Sequence, residues 1–370
     1  MTFPIRPDLR GLEPYGAPQL DVPVRLNVNE NPYSPSPAVV EDIAQAVAKV
    51  AAGLNRYPDR DFLDLRVKLA DYLRQESHVE VQPDHIWAAN GSNEVMIHLL
   101  QAFGGPGRTA ASFAPTYSMY HEYARDTQTI WVQGKRTEDF SLNLEYVCET
   151  LTNVHPSLLL LASPNNPTGT ALDLADVETI VKAARHTGPA LDRQFTDTIV
   201  VIDEAYAEFR RRGTPSALEL SEKYPNLVVT RTMSKAFGMA GLRLGYMVAH
   251  PEVIDIIKLV RLPYHLSATT QAVAEAALRH GKELMSQVAQ IRADRDELAE
   301  WLAGQGFEVA ASDANFVMFG RFPDRQAVFQ GLLDRGVLIR VVGPEGFLRV
   351  SVGTPQENEI FKSALLEVVA

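Results

Sequence analysis

Short, unbroken apolar runs alternate with longer stretches of helical periodicity through most of the chain. The runs are Ile86–Ala89, Thr109–Phe113, Thr129–Val132, Leu158–Ala162, Ile199–Ile202, Leu227–Thr230 and Tyr246–Ala249. Strict apolar–polar alternation would mark strands with one wet face, whereas continuous runs mark strands covered on both. The pattern predicts an α/β fold: a mostly parallel central sheet with helices on both faces. Ahead of it, Ser36-Pro37 reads as the cap and first residue of a helix reaching about Ala52. Asn55–Asp59 reads as a turn, and a second helix is expected from about Asp61 to Gln75.

The character changes past about Pro251. Two long helical patterns, Ser267–Arg279 and Lys282–Ala303, precede short strands at Glu308–Ala311 and Phe316–Phe319. A helix at Arg325–Arg335, strands at Val337–Val341 and Leu348–Val352, and a closing helix follow. These make a smaller α+β unit. Residues 1–35, rich in Pro and Asn, read as an extended arm packing back on that unit or on a neighbouring chain. The expected organisation is an N-terminal arm (1–35), a large domain (36–258) and a small C-terminal domain (259–370).

At 370 residues, the chain has room for two or three domains, each with its own core. Its 46% hydrophobic and 22% charged content excludes a disordered or low-complexity protein. A formal charge of −11 argues against a broad nucleic-acid-binding face, which needs a basic stripe. The lone Cys148 cannot form an internal disulfide and fits a reducing compartment. No apolar run approaches the ~18 residues of a membrane span, and the N-terminus lacks a signal-peptide core. A cytoplasmic protein with no membrane partner is expected. The histidines lack paired-ligand spacing, so no metal site is expected.

In open α/β sheets, ligands gather at the carboxyl ends of the strands. Four such ends carry complementary polar groups: Asn90-Gly91-Ser92-Asn93, Ser163–Gly169, Asp203-Glu204-Ala205-Tyr206, and Arg231–Lys235 followed by Gly238, Gly241, Arg243 and Gly245. Together these groups suit pyridoxal phosphate. The Lys235 amine can join its aldehyde, and Asp203 can keep the pyridine nitrogen protonated. Asn166 and Tyr206 can donate to the ring oxygen. Ser92, Asn93, Thr232, Ser234 and Arg243 supply backbone N–H groups, hydroxyls and a fork-shaped cation for the phosphate. Tyr117 offers an aromatic face.

Ser163–Thr170, Asp203–Tyr206 and Ser234–Gly245 resemble the signature of the fold-type I pyridoxal-phosphate aminotransferases, in matching order and over nearly the whole chain. Leu26–Pro32, Arg56-Tyr57-Pro58, Arg261–Ser267 and the pair Leu338-Ile339-Arg340 and Leu348-Arg349-Val350 resemble the histidinol-phosphate aminotransferases in particular. The resemblance implies that Lys235 binds the cofactor covalently and shuttles a proton. It implies that Asp203 pairs with the pyridine nitrogen, Asn166 and Tyr206 with the ring oxygen, and Tyr117 with the ring face. Arg349, with Arg340 beside it, would bind the substrate anion, and Tyr15 would line the side-chain pocket. Tyr57 would reach the phosphate of a neighbouring subunit's cofactor, making a homodimer with shared sites. The implied substrates are histidinol phosphate and glutamate or 2-oxoglutarate, in histidine biosynthesis. Aromatic amino-acid transamination and decarboxylation of a threonine-phosphate-like amino acid are the competing activities.

Other features read as structural. Tyr120 and Tyr123 are expected in the core, Cys148 in helix packing, and Gly104–Gly107 in a tight turn. Arg210-Arg211-Arg212 reads as a solvated basic turn, and Glu204 has no assigned role.

Overall fold

The computed structural model describes residues 3–370; Met1 and Thr2 of the expected arm lie outside the described residues. A seven-stranded sheet runs in the order Ile86–Ala89, Gly245–Val248, Leu227–Thr232, Ile199–Asp203, Leu158–Ala162, Thr109–Ala114, Ile130–Lys135. The last five in that order are mutually parallel, so their carboxyl ends open on one edge. Gly245–Val248 is antiparallel to both neighbours, which brings its first residue, Gly245, level with Ala89 and Thr232 at that same edge.

Leu158–Leu161 and Val200–Ile202 are almost wholly buried, as continuous apolar runs require. Ile130–Lys135 departs from that expectation. It closes one end of the sheet, and Ile130 remains 53% exposed because no further strand covers it. Ser36 caps helix Pro37–Ala51 by accepting from the Val39 N–H at 3.4 Å, as its sequence predicts.

A second, three-stranded antiparallel sheet joins Glu308–Val309, Phe316–Gly320 and Leu348–Ser351. The arm packs back on this unit. Val24–Arg25 pairs in parallel with Val337–Leu338, and Leu26 bridges to Leu338 and Ser351 through its backbone. The strand expected to reach Val341 is regular only at Val337–Leu338, with a single bridge from Arg340 to Arg349 beyond it. Helix Ala268–Arg279 was expected with the C-terminal unit, yet its Ala274 and Ala277 are buried in the larger core. It lies on helices Pro37–Ala51 and Leu63–Glu76.

Strand Leu227–Thr232 extends past its apolar run because Arg231, fully buried, is neutralised there. Its guanidinium lies 2.7 Å from Glu204 and 3.0 Å from Glu76. A buried charge without such partners would cost several kcal/mol, on the order of 3–5. Glu204 therefore has a structural role, reinforced by hydrogen bonds from Ser216 Oγ and the Ala217 N–H. The expected basic turn is corrected in the same way. Arg210 is buried and donates to the Ala207 and Pro215 carbonyls beside Glu204, while Arg211 and Arg212 stay at the surface. Tyr123 and Tyr120 are buried, and Cys148 is half-buried on helix Leu144–Val154. Among the described residues, no helix is long and apolar enough to cross a membrane.

Candidate active site

A cavity of about 500 Å³ opens at the carboxyl edge of the parallel strands, between the two sheets and the arm. Strand Ile199–Asp203 delivers a carboxylate to its floor. Asp203 Oδ2 accepts from Tyr120 Oη at 2.9 Å. Its Oδ1 accepts from Thr230 Oγ1 at 3.1 Å and the Ala205 N–H at 3.2 Å. Burial pushes its pKa up, while these three donors pull it down. A carboxylate has about four acceptor directions, so one remains for a cationic N–H in the cavity. Tyr120 is buried in the core, as expected, and its hydroxyl also supports the Asp203 carboxylate.

An anion cradle forms where helix Ser92–Phe103 begins. Gly91, at φ 83°, holds the turn, and a Cβ there would lie 2.7 Å from Arg243 Nη2. Gly245 brings its strand so close that a Cβ would sit 2.1 Å from the Ser92 nitrogen. The two glycines thus let a guanidinium and free helix N–H groups converge. Arg243 Nη1 donates to Ser234 Oγ at 3.2 Å, and Thr232 Oγ1 caps the Ser234 N–H at 3.1 Å. Ser92, Asn93, Thr232, Ser234 and Arg243 all line the cavity, a donor set suited to a phosphate.

The Lys235 amine donates to the Val28 carbonyl at 2.8 Å and lies 5.8 Å from the Tyr206 ring centre. Burial, helped by the charges of Arg349 and Arg243, lowers its pKa to about 8. A neutral amine is therefore available near physiological pH, which nucleophilic attack on an aldehyde requires. Asn166 Nδ2 reaches Tyr206 Oη at 3.5 Å, and Tyr117 forms part of the wall.

Arg349 is buried between these groups. Nη1 donates to Asn166 Oδ1 at 2.5 Å and Nη2 to the Asn27 carbonyl at 2.8 Å, while Nε has no partner. Burial holds its pKa down to about 10, so the guanidinium is cationic yet under-compensated. A forked cation with a free donor, facing a polar cavity, suits a carboxylate or phosphate. Arg340 also lines the cavity and reaches the Gly16 carbonyl at 3.4 Å. Tyr15 comes from the arm and shares a hydrogen bond with Ser118 Oγ at 2.9 Å.

One expected residue is elsewhere. Tyr57 is 79% exposed and stacks on Tyr264 at 4.5 Å, away from this cavity. Among the described residues, no cluster of three or more His, Cys, Asp or Glu side chains could hold a metal ion.

The aminotransferase class I and II family matches residues 22–365. Histidinol-phosphate aminotransferase of Thermobifida fusca is 59% identical over 98% of this chain and 95% of its own length. The chain belongs to the histidinol-phosphate aminotransferase family. The Bifidobacterium longum member is 54% identical over 100% of this chain and 97% of its own. Among solved structures, histidinol-phosphate aminotransferase from Sinorhizobium meliloti, in complex with pyridoxal-5'-phosphate, shares the fold. The TM-score is 0.86, with 24% identity covering 100% of this chain and 98% of that one. Aspartate aminotransferase from Thermus thermophilus with maleate matches at a TM-score of 0.78 and 25% identity, over 94% of this chain and 91% of that one.

For an aminotransferase of this family, the residues present fit a pyridoxal phosphate group. The cradle that only glycine permits at residues 91 and 245 accommodates a phosphate. The open acceptor on Asp203 suits a protonated ring nitrogen, and the Arg349 guanidinium lining the same cavity suits a substrate anion.

Proposed function

We propose that this chain catalyses pyridoxal-phosphate-dependent transamination between L-histidinol phosphate and 2-oxoglutarate. In the biosynthetic direction, imidazole acetol phosphate and glutamate would give histidinol phosphate, a step of histidine biosynthesis. The observation that carries the reading is one cavity joining Lys235 and Asp203 to the under-compensated Arg349. Relatives at 50–59% identity over nearly the full chain support the choice of substrate.

Bound there, the cofactor supplies an aldehyde that joins to amines and a protonated ring that takes up the electron pair released at the substrate Cα. The chain's residues divide the remaining work. Asp203 holds the proton on the ring nitrogen. Lys235 Nζ, neutral once its proton is lost near pH 8, takes and returns the proton at Cα. Tyr206 and Asn166 donate to the ring oxygen, and Tyr117 covers the ring. Ser92, Asn93, Thr232, Ser234 and Arg243 fix the phosphate. Arg349 binds either the planar carboxylate of glutamate or the larger phosphate of the second substrate, because a guanidinium fork serves both. Arg340 adds charge for the dianion, and Tyr15 closes the side-chain pocket.

The exposed Tyr57 fits a site shared between two copies, so the active unit is a homodimer in which Tyr57 reaches the partner's phosphate cradle. The working division is arm 1–35, large domain 36–258 and small domain 259–370, with helix Ala268–Arg279 of the last packed into the larger core and the cavity where arm and both domains meet. A cytoplasmic location fits the single cysteine. A panel of amino donors tests the reading: histidinol phosphate, threonine phosphate and phenylalanine, each with and without 2-oxoglutarate. Turnover of histidinol phosphate only with the keto acid supports it. Carbon dioxide release without a keto acid, or preference for phenylalanine, replaces it with a competing activity.

A further inference from the structure

The Leu26–Pro32 segment carries a residue that the cavity chemistry leaves unexplained. Asn29 is buried to 1% exposure and has a left-handed backbone at φ 56°. That conformation is uncommon outside glycine, though Asn and Asp tolerate it best. All four of its polar groups are satisfied, by three different parts of the chain. Its N–H donates to Ser351 Oγ at 2.9 Å, and its carbonyl accepts from Asn315 Nδ2 at 3.0 Å. Its side-chain Oδ1 accepts from Ser351 Oγ at 3.0 Å, and its Nδ2 donates to Tyr206 Oη at 3.0 Å.

The direction of these bonds matters. Ser351 Oγ already accepts from the Asn29 N–H, so its proton goes to Asn29 Oδ1, which turns the amide NH₂ toward Tyr206. The Tyr206 hydroxyl then receives a donor on its oxygen. Its own proton is left free to point elsewhere, and accepting a hydrogen bond strengthens a hydroxyl as a donor. Asn166 offers only a longer contact of 3.5 Å to the same oxygen. The Asn29 bond also lowers the Tyr206 pKa against the rise that burial causes.

We propose that Asn29, held by Ser351, is a positioning residue that fixes the Tyr206 hydroxyl as a donor to the cofactor's ring oxygen. The inference rests on the transaminase reading in requiring that oxygen beside Tyr206. It also ties the small sheet to the cofactor's electronics. Ser351 and Arg349 sit two residues apart on strand Leu348–Ser351, hence on one face of it. The strand that holds the substrate anion thereby also sets the Tyr206 donor.

The test is a pH titration of the visible absorption band of the cofactor-loaded protein. Donation to the ring oxygen stabilises its anionic form, so losing that donor raises the midpoint of the band. The charged and titratable groups facing Tyr206 are Arg349, Asp203, Tyr15, Tyr117 and Lys235, and the chosen variants leave all of them in place. Asn29→Ala and Ser351→Ala should each raise the midpoint by about half a unit to one unit, the size of one neutral hydrogen bond. Tyr206→Phe should raise it at least as far. Adding Asn29→Ala to Tyr206→Phe should then produce no further shift, because Asn29 acts through that hydroxyl. Ser351→Ala keeps the left-handed residue intact and stands in if Asn29→Ala folds poorly. A normal band in the parent protein with unmoved midpoints, or additive shifts in the double variant, overturns the role of Asn29 alone. Absence of any such band in the parent protein overturns the transaminase reading and this inference with it.

Discussion

Arg349 and Asn166 share a 2.5 Å hydrogen bond, so the side chain proposed to hold the substrate anion leans on the one proposed to address the cofactor ring. Removing the guanidinium therefore takes away the anion's partner and leaves Asn166 Oδ1 without its donor. Arg349→Ala should lower kcat/KM for both glutamate and histidinol phosphate by about thirty-fold to several thousand-fold, as loss of ~2–5 kcal/mol from a buried charge pair implies. Arg349→Lys should recover only part of this, since an ammonium lacks the fork. Steady-state kinetics on both half-reactions read the outcome, and unchanged values would remove Arg349 from the site.

Tyr120 donates to Asp203 Oδ2, and that bond favours the ionised carboxylate against the penalty of burial. Tyr120→Phe should raise the Asp203 pKa further and weaken cofactor retention by about tenfold, the scale of one hydrogen bond to a charged group. Dialysis against buffer followed by absorbance measures retention. Equal retention in the variant would place Tyr120 back among ordinary core residues.

Lys235 carries a pH signature that does not need the cofactor. Its folded-state pKa is about 8 against an ordinary 10.5. Between those values the unfolded chain holds a proton that the folded chain lacks, so stability rises with pH across that window. Below about pH 8 both states are protonated, and the penalty of burying the charge is fully present. Cofactor-free Lys235→Met should therefore be more stable than the parent at about pH 7. That advantage should shrink as the pH climbs toward about 10. Urea denaturation at several pH values measures it, and a gap independent of pH would contradict the depressed pKa.

Much of the fold was legible because its strands are short, apolar and buried on both faces, as Leu158–Ala162 and Ile199–Asp203 are. That Lys235, Asp203, Ser92, Asn93, Thr232, Ser234 and Arg243 meet at one cavity was legible because strand-end position and residue chemistry agree. What pattern concealed was set by distant pairing. Arg231 and Arg210 look like surface cations until Glu76 and Glu204, far apart in the chain, meet them in the interior. Tyr120 looks like core because nothing local says that its hydroxyl meets Asp203, 83 residues on. Ile130 reads as buried because a run of apolar residues does not reveal that its strand ends the sheet.

Tyr57 lies far out on the surface for a cofactor ligand of its own chain, and the shared-site reading makes this testable. Tyr57→Phe should weaken cofactor retention in the homodimer. Hybrids between Tyr57→Ala and Lys235→Ala chains concentrate both lesions in one of their two sites and leave the other intact. Such hybrids should recover activity that neither parent dimer has, approaching half of one normal dimer. Mixing after partial denaturation and refolding generates them. If the mixture stays as inactive as its parents while hybrids are present, Tyr57 serves its own chain.

The most direct measurement concerns Lys235 itself. The purified protein, loaded with pyridoxal phosphate and treated with borohydride, should carry the reduced cofactor on one peptide, the one containing Lys235. Lys235→Ala should fold, lose the visible band of the covalent form and yield no modified peptide. Modification at another lysine, or a protein that binds no cofactor, would contradict the account at its centre.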